Sequence, residues 1–451
     1  MDCDLLIQNA TIVTETKSFL GEVAVANEKI VAIGPDLNAK SRETINAQGL
    51  HLFSAIIDAH VHFNEPGRES WEGLATGSQA LAAGGGTLFF DMPLNSDPPV
   101  LNVERLHEKA KVATQKSYTD FAFWGGLVPG NLDHLEALAD EGVIGFKAFM
   151  SDSGIAEFSR VDLASLKKGM QIASRSGKIV AVHAESETMT AALTQRALAE
   201  KRFTIRDYLN SRPIASELEA IQKAIELAAE TGCALHVVHV SCAEGIALIT
   251  SAKQKGVNVS CETCPHYLVL TEEDVEKLGA IAKCAPPVRS REEKEKLWNE
   301  LKNDRIDIIG SDHSPCPPEM KQKDNFFQVW GGISGVQHTF SLLTEEGMTQ
   351  RHVLPEQLTR WLSTQVADRF QIFPQKGRLN VGSDADFFIA DLNAIEEVTA
   401  KKLFYRHPQS PYIGRQLRGK VVRTFLRGHC IFQDGKMVGN PIGKWVKPVG
   451  L

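Results

Sequence analysis

The chain lacks several features that mark whole classes of protein. Its 451 residues include eight cysteines, thin for an exported scaffold held by disulfides and simpler to read as intracellular thiols. No run of about 18 apolar residues occurs, so there is no candidate membrane span. Positive charge is not in excess: 49 Lys and Arg stand against 56 Asp and Glu, a formal charge of −7. A nucleic-acid binder would show a basic patch, and none is visible. The opening MDCDLLIQNATIV has two aspartates where a secretory signal carries Lys or Arg, so a cytoplasmic location is expected. Internal repeats, low-complexity tracts and a G-x-S-x-G nucleophile elbow are absent as well. AAGGGT at Ala82–Thr87 is Gly-rich, but it leads into a strand-like run, lacks G-x-G-x-x-G spacing and has no phosphate-loop lysine. It reads as a tight helix-to-strand turn.

What is present is ordinary globular material, 43% hydrophobic and 23% charged, which excludes wholesale disorder and leaves enough chain for a large core. Residues 4–50 alternate in the manner of short strands punctuated by Gly, Asn and Pro. The same texture returns in SDADFFIADL and KVVRTFLRGHCIFQDGKMVG. One β domain built from both termini, residues 1–51 and 374–451, is therefore expected, in the form of a small β-sandwich.

Between the ends, residues 52–373 carry eight apolar runs: LFSAII, TLFFDM, DFAFWGGL, VIGFKAF, KIVAVH, ALHVVHV, VNVSC and IDIIG. Segments such as NVERLHEKAKVAT, DLASLKKGMQIAS and ASELEAIQKAIELAAET separate them, with apolar residues at three-to-four spacing. Continuous apolar strands alternating with helices predict a parallel sheet covered by helices. Eight such units fit an α/β fold of the (β/α)8 TIM-barrel type, with a doubly wound open sheet as the alternative.

The chemistry-bearing residues fall at the ends of those runs. DAHVHF puts His60 and His62 just past the first run, where side chains at i and i+2 point the same way. Two imidazoles at the C-terminal mouth of a barrel suit a metal, although two solvated loop histidines would look the same locally. GFKAFM places Lys147 inside an apolar strand, where burial should drive its pKa down. A neutral amine reacts with carbon dioxide to give a carbamate, whose two oxygens can bridge metals about 3.5–4 Å apart. Taken alone, this strand is more simply read as a lysine snorkelling to the mouth. VAVHAE ends in His183. LHVVHVS offers His236 and His239, which strict alternation sends to opposite faces; His239, nearer the C-terminal end, is taken as the inward one and His236 as packed behind it. IIGSDHSP gives Asp312, a carboxylate able to ligate a metal and accept a proton. Nitrogen-rich ligation favours zinc, with manganese, cobalt, iron and nickel as alternatives, over magnesium or calcium. The C-x-x-C of Cys261 and Cys264 has no second pair at zinc-ribbon spacing and reads as two packed thiols. His266 and His313 are candidates for orienting ligands.

HVH, the mid-strand lysine, two later histidines, the last-strand aspartate and the DxH of Asp58 and His60 together resemble the amidohydrolase superfamily over nearly the whole chain. The lysine-bridged pattern is similar to its cyclic amidohydrolase branch of dihydroorotases, hydantoinases or dihydropyrimidinases, and allantoinases. The resemblance implies two divalent metal ions: His60, His62 and Asp312 on one, His183 and His239 on the other, with Lys147, carbamylated to N6-carboxylysine, between them. It further implies Asp312 as the proton carrier and a homotetramer. A non-catalytic scaffold that has lost its metals is the contrasting class, and retention of all six ligand positions argues against it.

Within the branch, HFNEPGR has Asn64 where similar dihydroorotases have an arginine for the substrate carboxylate, which argues against an acidic ring. Asp152 stands where hydantoinases have a tyrosine. HFNEPGR and DMPLNSDPP are similar to allantoinase motifs, which implies hydrolytic opening of the hydantoin ring of allantoin to allantoate. Asn95, Cys284 in CAPPVR and Ser334 in GGISGVQ are the expected substrate contacts. A hydantoinase or dihydropyrimidinase acting on another neutral cyclic amide is the alternative.

Overall fold

In the computed structural model, which describes residues 1–449, the apolar runs of the middle of the chain become eight parallel strands. They are β1 (Ile56–Val61), β2 (Gly86–Asp91), β3 (Asp120–Gly126), β4 (Gly145–Phe149), β5 (Ile179–His183), β6 (Leu235–Val237), β7 (Val259–Thr263) and β8 (Ile308–Ile309). Each pairs with its neighbours in the chain, so sheet order and chain order coincide. The ends join where the chain leaves β8. There the His62 amide donates to the His313 carbonyl at 2.8 Å, and one Asp58 oxygen accepts from the amides of Ser311 and His60, both at 3.1 Å. Parallel strands in chain order, joined end to end and linked through helices, make the expected (β/α)8 barrel.

Period-two alternation sorts the strand residues into two packed layers. Phe121 and Phe123 of β3, Phe146 and Ala148 of β4, and Val180 and Val182 of β5 pack beneath the helices. Leu88, Phe90, Ala122, Trp124, Ala181 and Ile308 fill the barrel interior with Phe370 and Ile372. Each fully buried Leu, Val or Phe side chain contributes about 1.5–3 kcal/mol. Lys147 and His183 fall on the interior parity of β4 and β5, which aims them into the barrel. The helices follow their three-to-four spacing: Ile214–Thr231 buries Ala220, Ile221, Ala224, Ile225 and Ala228, and stops at Gly232, whose φ of 68° favours a residue without Cβ. Helix Leu74–Ala83 ends just before β2, so AAGGGT is the helix-to-strand turn expected.

Both termini share one nine-stranded sheet. Its N-terminal strands, Asp2–Val13, Ser18–Ala26, Lys29–Gly34 and Lys40–Asn46, meet the C-terminal strands Phe387–Glu397, Gln416–Leu426, His429–Gln433 and Lys436–Met437 across His51–Ser54. That short strand runs parallel to Thr11–Val13 and antiparallel to Phe387–Ala390. Ile7, Ile12, Val25 and Ile30 pack with Phe387, Ile389 and Phe425 in one core. Gly450 and Leu451, the end of the expected terminal domain, lie outside the described residues. The run LFSAII proves to be two elements: Leu52–Ser54 belongs to the terminal sheet, and Ile56 begins the barrel. An unbroken apolar run carries no punctuation to mark the change of partner.

The seam between sheet and barrel is ionic. Lys376, 1% exposed, places its ammonium 2.6 Å from Asp120 of β3, 2.8 Å from Asp384 and 2.7 Å from Asp386, and Arg427 pairs with Asp120 from the other side. Among the described residues no helix is long and apolar enough to cross a membrane, and all eight cysteines are free.

Candidate metal centre

Four histidines, a lysine and an aspartate meet at the C-terminal mouth of the barrel. His60 lies in β1 and His62 just past it, Lys147 in the middle of β4, His183 at the end of β5, and His239 and Asp312 shortly beyond β6 and β8. The His60 ring centre is 5.4 Å from that of His62 and 5.5 Å from that of His239, which is 4.7 Å from that of His183. Asp312 Oδ1 is 3.2 Å from His60 Nε2 and 3.5 Å from His62 Nε2. His183 Nδ1 and His239 Nε2 are 3.0 Å apart. His239 and Asp312 have φ of 41° and 45°, a left-handed conformation that costs roughly 1–3 kcal/mol at a residue with a side chain. Strain of this kind gathers where side-chain placement matters more than backbone ease.

That backbone turn also corrects the alternation argument for β6. The strand stops at Val237, so His236 keeps interior parity while His239 swings in from the following turn. His236 is fully buried, 2.7 Å from Ser260 Oγ and 3.4 Å from Glu262, with Phe370 edge-on at 5.6 Å. Both histidines therefore point inward, His236 beneath the site and His239 within it.

Burial lowers the pKa of His60 and His183 and drives that of His239 well below the ordinary value, leaving neutral rings with lone pairs. For Asp312 burial pushes upward, but His60, a hydrogen bond from His62 and the nearby His239 outweigh it and hold the carboxyl well below its usual range. Burial brings Lys147 down to about 8 against the pull of Glu262 and Asp312. Its Nζ is fully enclosed and has no hydrogen-bond partner. An amine in that position is left short of an interaction worth about 1–3 kcal/mol.

These donors fit divalent metal. His60, His62 and Asp312 offer atoms all within 4.8 Å of one another. Ligands at about 2.0–2.1 Å from a tetrahedral ion stand about 3.4 Å apart, close to the 3.2 and 3.5 Å found. Neutral imidazoles and an ionised carboxylate are the protonation states a metal requires. Asp120, Asp384 and Asp386 also cluster, but there the Lys376 ammonium already sits between the carboxylates.

Two buried glutamates, unrecognised in the sequence, hold the rings. Glu262 of β7 binds His60 Nδ1, lies 3.4 Å from His236 Nε2 and accepts from the His239 amide at 3.2 Å. Burial pushes it upward, yet His60 and His236 keep it at about 2. Glu185 lies 2.8 Å from His183 Nε2 and pairs with Arg212; burial is again outweighed, first by Arg212 and then by His183, leaving it at about 2. A lone acid inside the apolar strand VSCET was the available signal, of the same kind that exposed Lys147. Gly310, after β8, makes room: a Cβ there would sit 3.0 Å from Glu262 Oε2 and 3.1 Å from His60 Cβ.

A cavity of about 780 Å³ opens over the site, with His60, His62, His183, His239 and Asp312 in its lining. Of the expected substrate contacts, Asn95 and Cys284 line it. Asn95 has φ 69°, and its carbonyl accepts from Arg68 at 3.0 Å; the Cys284 carbonyl accepts from Tyr208 Oη at 3.0 Å. Ser334 is buried outside the lining, its carbonyl accepting from Ser410 Oγ at 3.1 Å, while Gly331 and Gly332 form that wall. Asn64 is buried too and donates to the Pro315 carbonyl at 3.3 Å. Asp152 lines the rim. His266 packs edge-on against Tyr267 at 4.2 Å, and His313 accepts from the Gly335 amide at 3.2 Å.

A barrel of this order with metal-ready donors at its mouth matches the amidohydrolase family model over residues 52–438, and the chain belongs to that family. Over its whole length it is similar to allantoinases. It is 49% identical to the allantoinase of Rubrobacter xylanophilus, covering 99% of this chain and 98% of that one, and 48% identical to that of Deinococcus radiodurans, covering 100% of both. Among solved structures it is similar to the L-hydantoinase (dihydropyrimidinase) of Arthrobacter aurescens, with a TM-score of 0.96, 34% identity, and coverage of 99% of this chain and 100% of that one.

Proposed function

We propose that this chain is a metal-dependent cyclic amidohydrolase that opens the hydantoin ring of allantoin to give allantoate. The observation that carries the chemistry is the convergence of four imidazoles, an ionised aspartate and an unpartnered buried amine at one barrel mouth. Likeness to allantoinases over the full chain supports the substrate.

In this reading His60, His62 and Asp312 would hold one divalent ion and His183 and His239 the other, with zinc the favoured metal. Lys147 would serve both as N6-carboxylysine, formed when its neutral amine attacks carbon dioxide and releases a proton. Such ions supply Lewis acidity toward the ring carbonyl and toward water. Asp312, held ionised, accepts the proton of the attacking water at a carboxylate oxygen and returns it to the leaving ring nitrogen. Glu262 and Glu185 keep the His60 and His183 rings in place while it does so. Asn95 and Cys284 belong to the walls that seat the substrate, and Ser334 lies behind the wall that Gly331 and Gly332 form. The domain expected from residues 1–51 and 374–451, with Leu52–Ser54 added to its sheet, braces the barrel. A homotetramer and a cytoplasmic location complete the proposal.

The test is turnover of allantoin by protein supplied with zinc and bicarbonate, followed as allantoate formed, with Lys147→Ala as control. Replacing Lys147 should empty the two-ion site; full metal content in that variant would overturn the carbamate assignment.

A further inference from the structure

One charged group in the cavity wall has donors that the fold leaves unused. Arg212 follows helix Ile205–Ser211 and lines the cavity, its side chain 17% exposed. Nη1 donates to Glu185, and among the described residues no protein atom accepts from Nη2 or Nε. Those atoms are not sealed in protein either, because the buried polar atoms without partners include Glu185 Oε1 but none from Arg212. They open to the cavity. Tyr208 packs against the guanidinium at 5.7 Å. Nearby Lys283 is already committed, donating to the carbonyls of Phe326, Phe327 and Val329 at 2.7, 3.3 and 2.6 Å.

Charge decides what such a group can receive. Glu185 is wholly buried and neutralises Arg212, so the pair offers N–H donors with little net charge. An anionic ring would need an unpaired cation, whereas a neutral carbonyl needs only the donors. Position decides which carbonyl. Arg212 meets the metal centre through Glu185, whose one oxygen bonds both Arg212 Nη1 and His183 Nε2, so a carboxylate separates the guanidinium from His183, the ligand it is linked to. The guanidinium therefore faces the outer part of a bound ring and not the amide that reacts.

We propose that Arg212 is a specificity-determining residue that donates to the carbonyl oxygen of the substrate's ureido arm; this rests on reading the substrate as allantoin. Because Glu185 also holds His183, any replacement of Arg212 disturbs the metal centre to some degree. The test must separate that general loss from a loss of recognition. It compares kcat/KM for allantoin and for a hydantoin with a plain propyl arm on the same ring carbon, in the unmodified holoenzyme and in Arg212→Lys, with metal content measured for both. Lysine keeps the charge opposite Glu185 but loses the fork. Allantoin turnover should fall roughly 10- to 100-fold further than that of the propyl ring, mostly through KM. Equal falls for the two rings would show that Arg212 acts only through Glu185 and His183, overturning the proposal. If Arg212→Lys does not fold, the double variant Arg212→Gln with Glu185→Gln keeps the buried pair neutral and is judged by the same comparison. An unmodified enzyme that prefers the propyl ring would overturn the substrate reading itself, and this inference with it.

Discussion

Replacing Glu262 probes how the barrel prepares its ligands. The carboxylate touches three groups of the site: His60 Nδ1, His236 Nε2 at 3.4 Å and the His239 amide at 3.2 Å. With Nδ1–H of His60 engaged, the Nε2 lone pair is left on the side of Asp312. Glu262→Ala frees the His60 ring to turn or to move its proton to Nε2, and leaves the His239 amide without its acceptor. Loss of a partner that orients a ligating histidine lowers metal affinity about 10- to 100-fold, or about 1.4–2.7 kcal/mol. Glu262→Gln still accepts from Nδ1–H and should lose about tenfold at most. Because Glu262 is held at about 2, it is ionised throughout the neutral range, and the deficit of the glutamine variant should not change between pH 6 and 9. Competition between the protein and a chromophoric chelator for zinc reads the affinity, with circular dichroism as the check on folding. A folded Glu262→Ala protein that binds zinc within twofold of the unmodified chain would refute the reasoning.

Other consequences follow from the same structure. Lys376→Met leaves Asp386 buried without its cation and should cost about 3–5 kcal/mol in urea unfolding; because burial already raises Asp386, the deficit should shrink as the pH falls and that carboxyl protonates. A loss under 1 kcal/mol would contradict the seam as drawn. Burial holds Lys147 at about 8, so metal-free protein given the same concentration of dissolved labelled carbon dioxide at each pH should carbamylate faster at pH 9 than at pH 7, as carbon NMR would show; a flat rate would mean that the amine is not poised by burial. Burial, with Arg212 and Lys321 adding to it, brings Lys283 down to about 7. Between about pH 7 and 10.4 the unfolded chain then binds a proton that the folded one has shed, so stability should rise with pH across that window. Lys283→Met should flatten the rise, and an unchanged slope in urea midpoints would rule this out.

The parts of the site that could be read from sequence are those where one polar residue interrupts an apolar run at a strand end. His60, His183 and Asp312 announce themselves in this way, and Lys147 does so by sitting where an ammonium should not. Glu262 gave the same kind of signal but was masked by the two cysteines around it, which drew attention as a C-x-x-C pair. Arg212 and Glu185 were not legible, because a salt bridge between a loop and a strand end leaves no periodicity. Strict alternation failed at His239 because the chain leaves extended geometry directly after Val237. The run LFSAII, read as one strand, divides for another reason: one apolar run serves two sheets, and only the pairing of Leu52 with Ile12 and Ile389 shows where the first ends.

The most direct test of the central claim is a turnover panel of allantoin, hydantoin, dihydrouracil and dihydroorotate, using protein prepared with divalent metal and bicarbonate. The account predicts that allantoin leads in kcat/KM by well over tenfold and that dihydroorotate is the poorest, since Arg212 is neutralised by Glu185 and Lys283 is taken up by three backbone carbonyls. Dihydrouracil or unsubstituted hydantoin in the lead would contradict the substrate assignment while leaving the metal centre standing. No turnover of any of the four by fully metal-loaded protein would contradict the hydrolase itself.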